Sequence, residues 1–271
     1  MRTSIKNIVR FRAKIRRYYK TYRRSFPWRN THDPYRILVS EVMLQQTQTS
    51  RVKEKYPAFI KQFPTARSLA DSTTSDVLTA WSGLGYNRRA LFLKQAAEIT
   101  IQKFNGRIPD SYDGLRTLPG VGHGTASAVL AFAYGIAVPF IETNIRSVFI
   151  HHFFPNKRKV SDKEILPLVA ASLDTRNPRN WYYALMDYGV MLKEKNPNPS
   201  RRSAQHHKQS RFEGSHRQVR GMILKALLLK PHTEKRLVKT LKRSVPDTAQ
   251  ALKDLAQEGF IKREKALWRI A

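Results

Sequence analysis

The stretch Leu118–Ala126, with the sequence LPGVGHGTA, constrains the fold of this 271-residue chain more than any other. A Pro-Gly pair and two further glycines allow a tight bend with an exposed backbone. The apolar run from Ser127 to Phe132 follows at once. Backbone N–H groups at the start of a helix form an anion site when no side chain covers them. The stretch therefore predicts a turn that opens a helix and binds a phosphate. A plain helix-turn-helix corner is the alternative.

Charge and composition narrow the classes of partner. Fifty Lys and Arg residues against twenty Asp and Glu residues give a formal net charge of +30, and the isoelectric point is about 10.7. Such an excess favours a polyanion such as nucleic acid as partner. A membrane surface is the alternative, although no apolar run reaches the roughly 18–20 residues of a spanning helix. The chain has no cysteine, which excludes disulfides, thiolate zinc sites and cysteine-ligated iron–sulfur clusters.

Apolar periodicity predicts an all-α fold for most of the chain. Residues 1–25 contain ten Lys and Arg residues and no acid, and their apolar residues recur at helical spacing. They predict an amphipathic helix with a basic outer face. Other helical patterns cover residues 52–63, 66–70, 91–104, 125–134 and 162–192. No alternation long enough for a strand occurs in this part of the chain.

The amino-acid composition changes after residue 192. Residues 193–214 contain few large apolar side chains and predict a basic linker. Helical patterns return at 216–230, 233–243 and 247–258, followed by two short strands joined around Lys265. We therefore predict a core at 1–192 and a winged-helix domain at 215–271. Its basic charge favours DNA as the partner of that domain, with protein interaction as the alternative.

Two carboxyl groups stand out as candidates for chemistry. Glu41 lies in the apolar segment Val39–Leu44, and burial would raise its pKa towards the range of a general acid. Glu142 precedes a helix that begins near Ile145, where the helix dipole favours a negative charge; we expect Thr143 or Asn144 to cap that helix. Two carboxyl groups in unlike environments can divide the roles of acid and anionic stabiliser. Pairing with an arginine and simple helix-end electrostatics are the respective alternatives.

The order of the motifs resembles that of the helix-hairpin-helix (HhH-GPD) DNA glycosylase superfamily, and within it the adenine DNA glycosylases. Ser40–Gln48 is similar to the catalytic helix of that family, and the segments Phe26–Arg29, Gly83–Tyr86 and Leu118–Ala126 follow in the expected positions. The resemblance covers roughly residues 20–192. It implies two helical lobes, a hairpin that binds a backbone phosphate, and a target base flipped into the cleft between the lobes.

The resemblance also assigns roles to single residues. Glu41 would protonate the leaving adenine, and Glu142, which stands where the family usually has Asp, would stabilise the oxocarbenium-like sugar. Asn144 would support the acid group, and Arg29 and Asp187 would lie near the base pocket. The positions that would contact DNA are Gln46, Thr47, Leu84, Tyr86, Gly120, Val121, Gly122, Gly124 and Thr125.

The same mapping bears on cofactors and partners. Gly124 stands where strand-cleaving relatives carry a lysine nucleophile, so no Schiff base is expected. The four cysteines of the family's iron–sulfur cluster are absent, so no cofactor is expected. The carbonyls of Leu118 and Val121 are the possible ligands of a monovalent cation. The expected partner is double-stranded DNA with a mispair or damaged base. We expect an intracellular monomer in the cytoplasm and nucleoid, without membrane attachment.

Two departures from the family pattern keep other functions open. Glu142 is one methylene longer than Asp, and the usual domain for reading oxidised guanine is not recognisable. The target could therefore be adenine opposite guanine or opposite oxidised guanine. A mismatch thymine or uracil glycosylase on the same scaffold, or a non-catalytic protein that binds mismatches or damage, is the alternative.

Overall fold

The structure, a computed structural model, describes residues 5–206 and 211–271, so residues 207–210 of the predicted linker lie outside the described residues. Within these ranges the chain is mostly helical, which confirms the predicted fold class. The α-helices are α1 (Ile5–Tyr22), α2 (Pro34–Leu44), α3 (Thr49–Gln62), α4 (Ala66–Ala70), α5 (Thr74–Ala80), α6 (Arg88–Phe104), α7 (Tyr112–Arg116), α8 (His123–Val129), α9 (Thr143–Phe153), α10 (Asp162–Ser172), α11 (Pro178–Lys195), α12 (His216–Leu229), α13 (Glu234–Leu241) and α14 (Val245–Gln257).

Shorter elements complete the described chain. Single 3-10 turns cover Pro27–Arg29 and Pro199–Arg202, and a π-helical turn covers Leu130–Tyr134. Strands β1 (Ile261–Glu264) and β2 (Leu267–Ile270) form an antiparallel pair in which Ile261 lies opposite Ile270. The three helices α12–α14 followed by this hairpin match the order of elements predicted for the C-terminal part.

The chain divides into two compact units. Within the described ranges the first comprises residues 5–41, 109–117 and 121–206, and the second comprises 42–108, 118–120 and 211–271. The division passes through α2 after Glu41 and through the Gly-rich turn after Gly120. The domain limits predicted from composition, at residues 192 and 215, stay a prediction.

In the first unit, α11 packs against α1, α9 and the π-helical turn. The buried side of the basic helix α1 carries Phe11, whose ring centroid lies 5.2 Å from that of Phe149 and 6.0 Å from that of Trp181. Burial of such aromatic groups contributes much of the stability of a core. The start of the predicted linker is folded onto this unit, because the N–H groups of Val160 and Ala204 donate to the carbonyls of Arg202 and Val160.

In the second unit, α6 packs against α4 and α5, and α12 packs against α5 as well as against α13, α14 and β2. The ring of Phe59 meets those of Phe63 and Trp81 at centroid distances of 5.0 and 5.9 Å. Thr65 and Thr73 start α4 and α5 with capping boxes, in which side chain and backbone satisfy each other's hydrogen bonds. The C-terminal elements therefore pack onto helices of the middle of the chain.

The Gly-rich turn has the conformation that its glycines allow. Gly120 has φ of +75°, and a Cβ at this position would lie 2.9 Å from Phe92 Cβ. Gly122 and Gly124 are exposed at the start of α8. The helix predicted at 125–134 is observed as α8 with the π-helical turn, and it ends at Gly135 with φ of +68°.

The predicted cap of α9 is wrong. Thr143 is already the first residue of the helix, and the capping residue is Glu142. Its Oε1 atom accepts hydrogen bonds from the N–H groups of Asn144 (2.8 Å) and Ile145 (2.9 Å). A carboxylate satisfies the free N–H groups of a first helical turn as a threonine or asparagine side chain would.

Candidate active site

The carboxyl group of Glu41 lies in an environment that favours its neutral form. The side chain comes from α2, where Ser40 and Val42 on either side are buried, while Glu41 itself keeps some exposed surface. Burial and the negative charge of Glu142 raise the pKa of Glu41 to about 8, and the Arg29 guanidinium opposes that rise. A carboxyl group with such a pKa carries its proton at neutral pH and can donate it.

The carboxyl group of Glu142 accepts hydrogen bonds from three N–H donors. Besides the two backbone bonds from Asn144 and Ile145, its Oε2 atom accepts a bond from Asn144 Nδ2 at 3.2 Å. Donors aimed at both oxygens stabilise a negative charge. Asn144 is therefore placed to fix this group. Its own Oδ1 atom is buried without a hydrogen-bond partner.

Helix α11 approaches the start of α9 at Gly189. A Cβ on this residue would lie 2.5 Å from the carbonyl oxygen of Asn144, a distance that no other residue type could accept. The glycine therefore lets the backbone of α11 pass directly beside the capped end that carries Glu142.

Arg29 and Asp187 form a buried ion pair in the first unit. The two guanidinium nitrogens of Arg29 donate to the two oxygens of Asp187 at 2.8 and 2.9 Å. The same carboxylate accepts bonds from Arg24 N (2.9 Å) and Arg24 Nε (2.7 Å). Because four N–H groups donate to the carboxylate of Asp187, its negative charge is compensated inside the protein. Asp187 therefore holds the guanidinium of Arg29, whose positive charge acts on Glu41, and the place of both residues near a base pocket stays a prediction.

Aromatic rings complete the surroundings of Arg29. Its guanidinium lies 4.3 Å from the ring centroid of Tyr183 and 5.1 Å from that of Phe26, within the range of cation–π attraction. Arg179 donates to the carbonyls of Arg29 (2.9 Å) and Thr31 (2.6 Å) and so fixes the loop behind it. Arg29 thus contacts both Asp187 and Tyr183, and these contacts fix the position of its guanidinium.

The DNA-contact residues predicted from the middle of the chain meet in the second unit. Gln46 is exposed, with φ of +55°. The Oγ1 atom of Thr47 donates to the carbonyl of Leu84 at 3.3 Å. Gln45 Nε2 donates to the carbonyl of Gly120 at 3.2 Å. The loop after α2 therefore contacts both the Gly83–Tyr86 loop and the Gly-rich turn.

Leu84 and Tyr86 differ in exposure. Leu84 is buried, with 2% of its surface exposed, whereas Tyr86 is partly exposed and has φ of +48°. Insertion between bases needs a side chain that leaves the core. Tyr86 and Gln46, which are more exposed, meet this requirement better than Leu84 does.

Arg89, which sequence reasoning missed, links the two loops. Its Nη1 atom donates to the carbonyls of Val42 (2.8 Å), Met43 (2.8 Å) and Gln45 (2.6 Å). Its Nη2 atom donates to Thr47 Oγ1 (2.9 Å) and to the carbonyl of Gly85 (3.0 Å). Burial lowers the pKa of Arg89 to about 10, which still leaves it charged at neutral pH. An arginine at the start of a helix just after a Gly-rich loop was the only available signal.

The Gly-rich turn exposes backbone groups at the start of α8. Val121 is buried, Thr125 is partly exposed, and a Cβ added to Gly124 would have nothing within 4 Å. The carbonyl of Val121 accepts a hydrogen bond from Arg116 Nη1 at 3.1 Å. That hydrogen bond leaves a second lone pair on the oxygen, so a monovalent cation on the carbonyls of Leu118 and Val121 stays a prediction.

Residues 5–206 and 211–271 contain no group of three His, Asp or Glu side chains placed to hold a metal ion. In the same ranges no helix has the length and apolar character needed to cross a membrane.

Fold and site together define a helical protein with two carboxyl groups of unlike environment and a glycine-rich turn at a helix start. The family described as HhH-GPD superfamily base excision DNA repair protein matches residues 39–169. An adenine DNA glycosylase of Buchnera aphidicola subsp. Baizongia pistaciae is 35% identical over 189 residues, 68% of this chain and 53% of that protein. A thymine/uracil-DNA glycosylase of Pyrobaculum aerophilum is 31% identical over 188 residues, 66% of this chain and 81% of that protein.

A solved structure described as a thermostable thymine-DNA glycosylase matches with a TM-score of 0.62 and 28% identity, over 69% of this chain and 87% of that one. The chain belongs to the HhH-GPD superfamily of base excision DNA repair proteins. It spans about half the length of the adenine glycosylases that it matches.

Proposed function

We propose that this chain is a monofunctional DNA glycosylase that removes adenine mispaired with guanine or oxidised guanine. The observation that carries the proposal is the pair of unlike carboxyl groups: burial raises the pKa of Glu41 to about 8, and the carboxyl group of Glu142 accepts three hydrogen bonds from N–H donors. The similarity to proteins named adenine DNA glycosylase supports adenine as the base.

In the proposed reaction Glu41 donates its proton to a ring nitrogen of the flipped adenine. The C1′–N9 bond then breaks, and its electron pair leaves with the base. Positive charge develops on the sugar and is stabilised by the carboxylate of Glu142. Water adds to C1′ and gives a proton to the carboxylate of Glu41, which restores the acid and leaves an abasic site. Asn144 would hold Glu142 in place, and Arg29 would favour release of the Glu41 proton.

The net positive charge of the protein and its exposed backbone N–H groups would both contribute to DNA binding. The net charge of +30 supports binding to the phosphates of a duplex. The exposed N–H groups of Gly122 and Gly124 would contact a phosphate, and Gln46, Thr47 and Tyr86 would enter the duplex around the target base. We propose that the protein acts inside the cell as a monomer on chromosomal DNA and without a cofactor.

The experiment is a panel of duplexes with adenine, thymine or uracil opposite guanine or oxidised guanine, each incubated with the protein and then treated with alkali. We expect an alkali-labile site at the adenine of a mispair and an intact strand before alkali. Borohydride should trap no covalent adduct, because Gly124 supplies no amine. No alkali-labile site in any duplex would contradict the proposal and favour a binding protein without catalysis.

A second candidate function is a mismatch thymine or uracil glycosylase. This chain covers 81% of the length of the Pyrobaculum thymine/uracil-DNA glycosylase, a larger share than it covers of the adenine glycosylases. The solved structure of a thermostable thymine-DNA glycosylase also has a similar fold. Release of thymine or uracil opposite guanine, with adenine left in place, would favour this second function.

A further inference from the structure

The C-terminal helix α12 contacts the loop Gly83–Tyr86 inside the second unit. Arg217 Nη1 donates a hydrogen bond to the hydroxyl oxygen of Tyr86 at 2.9 Å, and the guanidinium lies 5.8 Å from the ring centroid. Residues 211–271, which we call the C-terminal module, thus hold a side chain of a loop that is more than 120 residues earlier in the chain.

The backbone of this loop needs support. Tyr86 has φ of +48°, and Gly83 and Gly85 on its N-terminal side have φ of +91° and +71°. A left-handed conformation is unfavourable for a tyrosine and persists only where surrounding contacts over-determine it. Arg89 lies 5.6 Å from the same ring centroid, so the aromatic ring has guanidinium groups from both α6 and α12 near it.

A second bridge fixes the residues just after the loop. Glu258, at the end of α14, accepts hydrogen bonds from Arg220 Nη1 (2.7 Å) and Nη2 (2.6 Å) of α12 and from Arg88 Nε (3.1 Å) of α6. These arginines lower the pKa of Glu258, so the carboxylate stays charged. The bridge sets the distance between α12 and the start of α6, and α12 also packs on α5. The loop is therefore flanked by two elements that the C-terminal module holds.

We propose that the C-terminal module sets the conformation of the Gly83–Tyr86 loop, with Arg217 as the positioning residue for Tyr86. The module would then take part in opening the duplex at a mispair, beyond adding positive charge to the protein. The inference rests on the proposed role of this loop in duplex DNA, and it does not depend on which base is excised.

Unstacking of a base can be measured separately from excision. All variants carry Glu41→Gln so that the DNA stays intact, and the duplex carries 2-aminopurine beside an adenine–guanine mispair. The fluorescence of this base increases when it unstacks. Arg217→Met removes the donor and the charge, Arg217→Lys keeps the charge, and Tyr86→Phe removes the acceptor. The matched control is Arg211→Met, which removes an exposed arginine of the same module that pairs with Glu213.

We expect Arg217→Met to lower the population of unstacked complexes about fivefold at saturating protein, the change that follows loss of one hydrogen bond. Arg211→Met should leave it unchanged, and Arg217→Lys should lie between. Combining Tyr86→Phe with Arg217→Met should add little to the larger single effect, since both remove the same bond. The affinity for a fully paired duplex, in which no base unstacks, should fall equally in Arg217→Met and Arg211→Met.

Three results would overturn the inference: equal fluorescence in Arg217→Met and Arg211→Met, independent effects of Arg217→Met and Tyr86→Phe, or no fluorescence rise in the parent protein. Tyr86→Phe keeps the test decisive should Arg217→Met fail to fold. Absence of excision by the unmodified protein together with a normal fluorescence rise would contradict the proposed function and leave this inference intact.

Discussion

The two candidate catalytic carboxyl groups, Glu41 and Glu142, differ in what surrounds them. Burial and the like charge of Glu142 disfavour ionisation of Glu41, so the pKa of Glu41 rises to about 8. Glu142 accepts hydrogen bonds from two backbone N–H groups and one side-chain amide. The first environment retains a proton and the second stabilises a negative charge. At the scale of residues, this difference is what allows one group to act as acid and the other as anion.

The raised pKa of Glu41 makes protein stability depend on pH. The folded state holds this proton more tightly than the unfolded state, whose ordinary pKa is 4.5. The contribution to stability is therefore complete below about pH 4.5 and is lost as pH rises through about 8. Glu41→Gln has no such dependence. We expect the Tm of the unmodified protein to fall relative to that of Glu41→Gln between about pH 5 and 9.

Thermal unfolding over this pH range checks the prediction. Glu54→Gln, a change at an exposed position, is the control, and its curve should run parallel to that of the unmodified protein. A curve of Glu41→Gln that also runs parallel would show that the Glu41 carboxyl group is not held neutral.

Charge and capping at Glu142 can be separated by two substitutions. Glu142→Gln keeps an oxygen that accepts from the N–H groups of α9, so stability should be nearly unchanged. Glu142→Ala loses the cap and should destabilise the protein by about 1 kcal/mol. Both should slow excision, by about 10²-fold or more, because neither retains the negative charge near the sugar. Urea unfolding and single-turnover excision measure the two effects, and full activity in Glu142→Gln would contradict the electrostatic role.

Among the structural elements, the Gly-rich turn contains glycines that differ in whether their position could accept a side chain. Gly120 combines a positive φ with a 2.9 Å contact between an added Cβ and Phe92 Cβ, whereas Gly124 has nothing within 4 Å. We expect Gly120→Ala to destabilise the protein by about 1–3 kcal/mol. Gly124→Ala should be neutral or slightly stabilising, because alanine favours helix. Equal free energies of unfolding in urea for the two variants would contradict this account of the turn.

Helices were predictable because their apolar residues repeat at helical spacing and because Pro and Gly mark their ends. The pattern located α12–α14 and the hairpin around Lys265, which has φ of +56°. It failed at the cap of α9, where a glutamate does what threonine and asparagine do more commonly. Local propensity does not distinguish these capping residues when several stand side by side.

The contacts between distant residues were not predictable from one sequence. Asp187 accepts bonds from Arg24, 163 positions away, and Arg89 reaches carbonyls 44 to 47 positions away. Fifty basic residues offer many equivalent partners, so only the fold decides which arginine meets which acceptor. Glu41 was predictable because a carboxyl group in an apolar helix is unusual. Arg217 and Arg116 carried no comparable signal.

For the whole molecule, the net charge of +30 predicts that the affinity for DNA depends strongly on salt concentration. A protein that contacts about six or more phosphates loses roughly 10³-fold in affinity between about 50 and 200 mM salt. We expect this slope for binding of an undamaged duplex, measured by fluorescence anisotropy at several salt concentrations. A nearly flat dependence would contradict phosphate contacts as the main source of affinity.

We propose that Glu41 is the acid that releases the base, and single-turnover excision of adenine opposite oxidised guanine measures this role. Glu41→Gln should slow excision by at least about 10²-fold, while Glu54→Gln should not. The rate of the unmodified protein should fall as pH rises through about 8, where Glu41 loses its proton. Excision by Glu41→Gln at the rate of Glu54→Gln, with the same pH profile as the unmodified protein, would show that Glu41 is not the acid.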